Sequence, residues 1–267
     1  MTRLRLILTG FISLGIIFCL AGTASADLND GLLGYYSFSG NANDMSGNGN
    51  DMTVKWATLV QDRFGHADSA YYFDGVDDYM RTSSIATGLQ VSDAFTISTW
   101  IYKANTSKQT MVGLYDAGGS GSPEYAMMYS DDKIRMQTRD NTGAYAFNTQ
   151  RSDTVISADS WHHLVFTYDG PGYNFYLDGT LDGSGSLSTT IRDIDSSPQF
   201  YIGARGDRQP GEFYEGIIDD IRIYDRALSG SEVQELTNLV VVPEPVSTVL
   251  FLAGGAVMGF VRLRKKK

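Results

Sequence analysis

The chain has 267 residues, 12% aromatic and 19% charged, with 29 Gly against 6 Pro. That composition suits one β-rich domain of about 200 residues with many tight turns, and no repeat at solenoid spacing is visible. The two ends hold seven of the 21 basic residues and one of the 31 acids, leaving 14 basic against 30 acidic between them; this net charge weighs against nucleic acid and other polyanions as partners.

Arg3 and Arg5, an apolar run from Leu6 to Leu20 and the small residues Ala24-Ser25-Ala26 form the three parts of a secretory signal peptide over residues 1–26. Signal peptidase is expected to cut before Asp27. Cys19, the single cysteine, lies inside this leader and follows Phe18, which does not fit a lipoprotein signal. The mature chain therefore has no thiol, which excludes disulfides, thiolate metal sites and cysteine nucleophiles.

Leu33 to Phe38 reads as the first strand. The loop Ser39 to Asp51 that follows is dense in Asn, Asp, Ser and Gly, and its side-chain and carbonyl oxygens suit a hard cation without matching an EF-hand. Ala70 to Phe73 and Tyr79 to Thr82 flank a turn at Asp74-Gly75-Val76-Asp77-Asp78. Phe95, Ile97, Thr99 and Ile101 alternate with Thr96, Ser98, Trp100 and Tyr102, a strand with aromatic residues on its second face. Thr110 to Leu114, Tyr125 to Tyr129, Lys133 to Thr138 and Ala144 to Asn148 read as four shorter strands. The stretch Asp116 to Pro123 between the first two is rich in Gly and Ser and is flanked by Tyr115 and Tyr125.

Trp161 to Tyr168 mixes aromatic and β-branched residues, Asp169 to Gly172 breaks it, and Tyr173, Phe175 and Leu177 then alternate with Asn174 and Tyr176. This hairpin has one apolar face, which needs a second layer to cover it. His162 and His163 are adjacent on the strand, so they face opposite sides and cannot chelate one metal; His66 stands alone. Arg205-Gly206-Asp207 spells an adhesion tripeptide, read here as a loop coincidence. In the last strand Ile217, Asp219, Ile221 and Ile223 share one face, and Asp220, Arg222 and Tyr224 share the other. A carboxylate in register with three isoleucines must be paired, hydrogen-bonded or bound to a metal. A short helix, Ser231 to Asn238, follows, capped by Ser229 or Ser231.

Beyond it, Val242-Pro243-Glu244-Pro245 leads into an apolar run, Val246 to Val261, and a basic tail from Arg262 to Lys267. The run is short of the roughly 20 residues that span a bilayer comfortably, and the positive tail would stay cytoplasmic. Pro243, Glu244 and Pro245, the apolar helix and the basic tail, residues 239–267 together, resemble the PEP-CTERM sorting signal of Gram-negative bacteria. The resemblance implies that an exosortase cuts near the motif and releases the protein to the cell surface or medium, where exopolysaccharide and biofilm matrix are the partners. A plain single-pass anchor is the alternative.

Five stretches in order resemble a laminin-G-like domain of the concanavalin A-like type. They are YYSFSGNANDMSGNGND (35–51), YYFDGVDDYMR (71–81), FTISTWIY (95–102), WHHLVFTYDG with FYLDGTLDG (161–183), and GIIDDIRIYDRALSGSEVQEL (216–236). The resemblance implies an all-β fold over residues 27–238, a two-sheet antiparallel jelly-roll sandwich. Related modules carry a structural calcium. If the first and last strands are neighbours, Asp44 and Asp219 would hold it, with loop carbonyls completing the shell. Loop rims and sheet faces carry ligands in such folds, which makes Tyr115, Tyr125, Tyr145 and Phe147 candidates for stacking on sugar rings. Some relatives are glucanases with acids spaced Glu-x-Asp-x-x-Glu. That string is absent here, and the three-residue step from Glu212 to Glu215 puts those acids on opposite faces of a strand. The expectation is a non-catalytic, lectin-like binding protein. A structural matrix component without a defined glycan site is the second reading, and a glycoside hydrolase a distant third.

Overall fold

The apolar faces read from the sequence close on one another as two antiparallel sheets. The computed structural model describes residues 27–239 apart from 92, 105–108, 117–122, 141, 188–190, 192–196 and 211. The expected signal peptide with Cys19, and the sorting segment with Pro243, Glu244 and Pro245, lie outside the described residues. In chain order the strands are β1 (Leu32–Tyr36), β2 (Met52–Lys55), β3 (Thr58–Val60), β4 (Ala70–Asp74), β5 (Tyr79–Thr82), β6 (Phe95–Lys103), β7 (Gln109–Asp116) and β8 (Pro123–Ser130). They continue with β9 (Lys133–Arg139), β10 (Tyr145–Phe147), β11 (Trp161–Tyr168), β12 (Gly172–Leu177), β13 (Thr180–Ser186), β14 (Pro198–Ile202) and β15 (Glu215–Tyr224), followed by the helix α1 (Gly230–Asn238). One sheet runs β13-β12-β11-β6-β15-β4-β3, with β1 also on β15; the other runs β10-β9-β8-β7-β14-β5-β2.

Between the sheets lies an aromatic core. Phe166 of β11 contacts Phe95, Phe147, Phe175 and Tyr173 at ring distances from 5.1 to 6.2 Å. The edge-to-face geometry of Phe147 on Phe166, 5.3 Å at 90°, is one such pairs favour. Phe147 is 0% exposed and Tyr125 is likewise 0% exposed, its hydroxyl donating to the Leu89 carbonyl at 2.9 Å. Both are core residues, so neither offers a ring face to a sugar, against the expectation from the sequence. The strands' short length and bulges had left their inward parity undecided.

β15 is the hub of the eight-stranded sheet. It pairs with β6 along one side, and on the other with β4 up to Ile218 and with β1 from Ile221 onward. Between those two runs the register slips: Asp219 faces Trp100 of β6, whereas Arg222 faces Ser98. Three residues on β15 thus match two on β6, a β-bulge, and Asp220 takes φ 48 within it. The bulge shifts the alternation. Ile218, Ile221 and Ile223 all enter the core, and Asp219 is not on their face as simple alternation predicts. Asp219, Asp220 and Arg222 instead meet partners on the outer surface of the sheet.

α1 covers part of that outer surface. Val233 and Leu236 of the helix pack with Val165, Tyr176, Tyr224 and Leu228. Its start is a capping box: the Ser229 hydroxyl accepts from the Glu232 amide, while the Glu232 carboxylate accepts from the Ser229 amide at 2.7 Å.

Truncating Phe147 to Ala is expected to destabilise the fold by about 3–5 kcal/mol, because it empties the middle of the aromatic core. A lowered midpoint in urea denaturation with an unchanged slope is the expected result.

Candidate functional site

Met80, Leu114, Phe200 and Ile202 point into the core, which turns their neighbours Tyr79, Arg81, Tyr115 and Tyr201 to the outer face of the seven-stranded sheet. At the β2 edge, Trp56 sits just after the strand at φ 63 and is 66% exposed. A line of rings runs inward from it. Trp56 lies 6.4 Å from Tyr79, Tyr79 6.2 Å from Tyr201, and Tyr201 6.0 Å from Tyr115. Arg208, on the loop after β14, holds its guanidinium 6.0 Å from the Tyr79 centroid and donates to the Tyr201 hydroxyl at 3.3 Å. Arg81 is the cross-strand partner of Tyr201. Such a surface can stack a pyranose ring and donate hydrogen bonds to its oxygens.

Tyr115 belongs to this line but is only 1% exposed. The loop after β14 crosses it so closely that a Cβ on Gly206 would sit 2.6 Å from the Tyr115 side chain, which leaves room only for glycine. Tyr115 is thus a buried support rather than a contact residue, because the loop has taken its free face. Tyr145 is 44% exposed at the far edge, its ring 4.1 Å from the Arg139 guanidinium. Of the four aromatic residues expected from the sequence, only Tyr145 presents a surface. Trp56 and Tyr79 were missed; Tyr201, 3% exposed, is buried with Tyr115 and supports them.

The outer face of the eight-stranded sheet is arranged differently. Arg63 bonds Asp219 at 2.8 Å and Asp220 at 2.7 Å, and donates to the Leu239 carbonyl at 3.3 Å. Its guanidinium is sandwiched between Phe64 at 4.5 Å and Trp100 at 4.4 Å. A cleft of about 400 Å3 beside it is lined by Arg63, Phe64, Trp100, Trp161 and the end of α1. Burial, and Asp220 beside it, push the Asp219 carboxyl well above the usual carboxylate range against the pull of Arg63.

Both acids expected to share a calcium are already engaged by other groups. At Asp219 a guanidinium occupies the place of a cation. Asp44 is engaged by its own loop: Oδ1 accepts from the Tyr35 and Ser46 amides and the Ser46 hydroxyl, and Oδ2 from the Asn50 amide. Burial raises the Asp44 carboxyl, but those hydrogen bonds together outweigh it and hold it below its ordinary value. The acids whose oxygens do cluster are Asp74, Asp77 and Asp78, within 4.8 Å of one another in the β4–β5 turn. Asp74 there accepts from the Val76 amide and Asp78 from the Asp74 amide, so the turn already uses them as acceptors.

Ser98, His163 and Thr237 form a hydrogen-bonded chain, with 2.7 Å at each link. Ser98 and His163 are buried, and the Trp100 ring stacks on the imidazole at 5.0 Å. Burial first, then Arg222 and Arg63, lower the His163 pKa to about 3. A neutral, enclosed imidazole of this kind ties α1 to the sheet. In the Arg205-Gly206-Asp207 tripeptide, the Arg205 guanidinium grips Asp207 through two bonds of 2.7 and 2.5 Å, so the two charges satisfy each other.

A family model described as the concanavalin A-like lectin/glucanases superfamily, laminin G type, matches residues 74–234. The chain is 23% identical over 207 residues to Paraclostridial mosquitocidal protein 1 of Paraclostridium bifermentans, covering 73% of this chain and 16% of that protein. Among solved structures it resembles domain 4 of AbnA, a GH43 extracellular arabinanase from Geobacillus stearothermophilus, in complex with arabinotriose. That match has a TM-score of 0.59 at 20% identity and covers 78% of this chain and 98% of that one. It also resembles the botulinum neurotoxin serotype D ligand-binding domain in complex with N-acetylneuraminic acid, with a TM-score of 0.56 at 15% identity, over 78% of this chain and 51% of that one. At these identities the structural matches show the fold.

The neutral His163 sets an acid limit on stability. Its folded pKa lies below its unfolded value, so its contribution is complete above about pH 6.5 and is lost as pH falls toward 3. Over that window the unfolded chain binds the extra proton, costing about 1.4 kcal/mol per pH unit. Relative to wild type, His163→Gln is expected to flatten the stability-versus-pH curve by that slope between pH 6 and 4. Parallel curves in denaturant titrations would refute the assignment.

Proposed function

The chain belongs to the concanavalin A-like lectin/glucanases superfamily, and from that premise we propose that it is a secreted, non-catalytic, lectin-like protein that binds extracellular polysaccharide. One observation carries this reading: Trp56 is 66% exposed on the outer face of a sheet, beside the half-buried ring of Tyr79, which a small buried cluster of Tyr201, Tyr115 and Met128 supports from below. The complexes of related folds with arabinotriose and N-acetylneuraminic acid support a sugar as the ligand class. The signal peptide over residues 1–26 would deliver the protein outward, and the Pro243-Glu244-Pro245 segment would hold it at the membrane until an exosortase releases it into exopolysaccharide matrix.

Non-catalytic action is supported by how the reactive groups are engaged. The Ser98–His163 pair is enclosed, and Glu212, near the aromatic face, bonds Arg205 at 3.0 Å. Calcium is retained as a proposed structural cofactor, for which the Asp74, Asp77 and Asp78 turn is the better placed acid group.

The test is binding of the purified protein to a panel of polysaccharides, with calcium and then with chelator. Saturable binding to a narrow set is expected. Trp56→Ala should weaken it at least about tenfold while changing stability by less than about 0.5 kcal/mol. Retained affinity in that variant would place the site elsewhere, and no saturable binding at all would leave the matrix-filling role in front.

A further inference from the structure

The net charge of the chain conceals a division between its two sheets. Of the described basic residues between Asp27 and Asn238, Arg63, Lys103, Arg151, Arg205, Arg222 and Arg226 each lie within 4.0 Å of a carboxylate. Among the described residues, Lys55, Arg81, Lys133, Arg135, Arg139 and Arg208 have no such partner. In a domain with 30 acids to 14 bases, unpaired cations scattered over the surface would be the surprise. These six are not scattered: all belong to the seven-stranded sheet or to the loop that crosses it.

Neutral acceptors satisfy several of them without cancelling their charge. Arg135 donates to the Asn148 carbonyl at 2.7 Å and to the Asn148 side chain, Arg139 to the Gly143 carbonyl at 2.6 Å, Lys133 to the Asp153 carbonyl at 2.7 Å, and Arg208 to the Tyr201 hydroxyl. The side chain of Arg81 has no hydrogen-bond or ion-pair partner among the described residues. Acids stand on this side too, but Asp131 is paired with Arg151, and Asp207 and Glu212 with Arg205, so the cations left with full charge can make a local positive potential, more distant acids being screened by salt over about 10 Å. Sheet spacing of about 4.8 Å per strand puts β2 and β9 roughly 24 Å apart, a span that suits a polymer rather than a single small anion.

We propose that the outer face of the seven-stranded sheet selects anionic glycans, with Trp56 and Tyr79 stacking on a sugar ring and Arg81 and Arg208 taking its acidic group. This inference rests on the lectin-like reading of the same face and sharpens it. It also corrects the expectation drawn from net charge, which treats the domain as evenly acidic. The planar guanidinium fork matches carboxylate or sulfate oxygens two at a time. Arg81 and Arg208 flank the stretch of the face where two neighbouring rings, Trp56 and Tyr79, meet unpaired charge; Tyr145 with Arg139 at the far edge is a single ring already covered by its own guanidinium.

The test compares polymers that differ only in charge: polygalacturonate against its fully methyl-esterified form, and dextran sulfate against dextran. The full protein is expected to bind at least one anionic member about tenfold more tightly than its neutral counterpart, and the preferred member identifies carboxylate or sulfate. Arg81→Gln and Arg208→Gln should each lower the charged-to-neutral affinity ratio toward one, whereas Trp56→Ala should weaken both polymers and leave that ratio within about twofold. Equal binding of charged and neutral members overturns the inference but leaves the lectin reading intact. Absence of saturable binding to any polymer overturns both. Competition by duplex DNA as effective as by the acidic glycan would show plain polyanion attraction and also overturn it.

Discussion

The arginine that lies against the bulge of the last long strand is the contact on which much of this architecture depends. Two adjacent carboxylates, Asp219 and Asp220, are buried on the outside of the eight-stranded sheet, and two lone buried charges there would be costly. Arg63 answers both, and Arg222 adds a second cation 3.8 Å from Asp220 while lying 4.0 Å over the Tyr35 ring. The cluster therefore balances two acids with two bases. In doing so it joins the loop after β3, the central strand and, through the Leu239 carbonyl, the end of α1. Removing Arg63 alone would take from Asp219 its guanidinium and leave Asp220 only the longer contact to Arg222, a larger penalty than the cluster's net contribution to folding.

That commitment divides the labour between the two outer faces. On the eight-stranded sheet α1, the arginine cluster and the Ser98–His163–Thr237 chain use the outward residues to lock the last segment of the chain in place. Among the described residues nothing comparable covers the β2 and β5 edge of the other sheet. Its aromatic residues are supported from behind by Tyr115 and the Gly206 crossing, so the rings are fixed before any ligand arrives. A pre-set aromatic surface loses little rotamer freedom on binding, which favours affinity from few contacts.

Much of the fold was legible where alternation is regular. Phe95 to Tyr102 and the Trp161 to Leu177 hairpin form the strands that their periodicity predicts, and the structure confirms the cap at Ser229. Reading failed where periodicity is interrupted. The bulge at Asp219 and Asp220 moves a carboxylate off the isoleucine face, and no local signal in the sequence announces it. Tyr125 and Phe147 were visible as aromatic strand residues, but their direction depends on which neighbours the other sheet supplies. Trp56 escaped because it sits at positive φ in a short stretch between two strands of four and three residues. Arg81 and Arg208 are far apart in the chain, and only the pairing of β5 with β14 shows that their surroundings coincide.

Net charge hides local charge for a related reason. A sum over the chain assumes that opposite charges mix, whereas sheet pairing sorts residues by face before any charge meets another. Here acids occupy turns and the ion clusters, where they accept backbone amides or hold arginines, as Asp44, Asp74 and Asp219 do. Those acids are therefore spent on structure, and their charge is tied to local donors. The arginines of β9 face outward from a sheet whose other side is apolar and find the carbonyls of Asn148 and Gly143, while Arg81 of β5 has no side-chain partner among the described residues. A strongly acidic protein can in this way carry a positive surface.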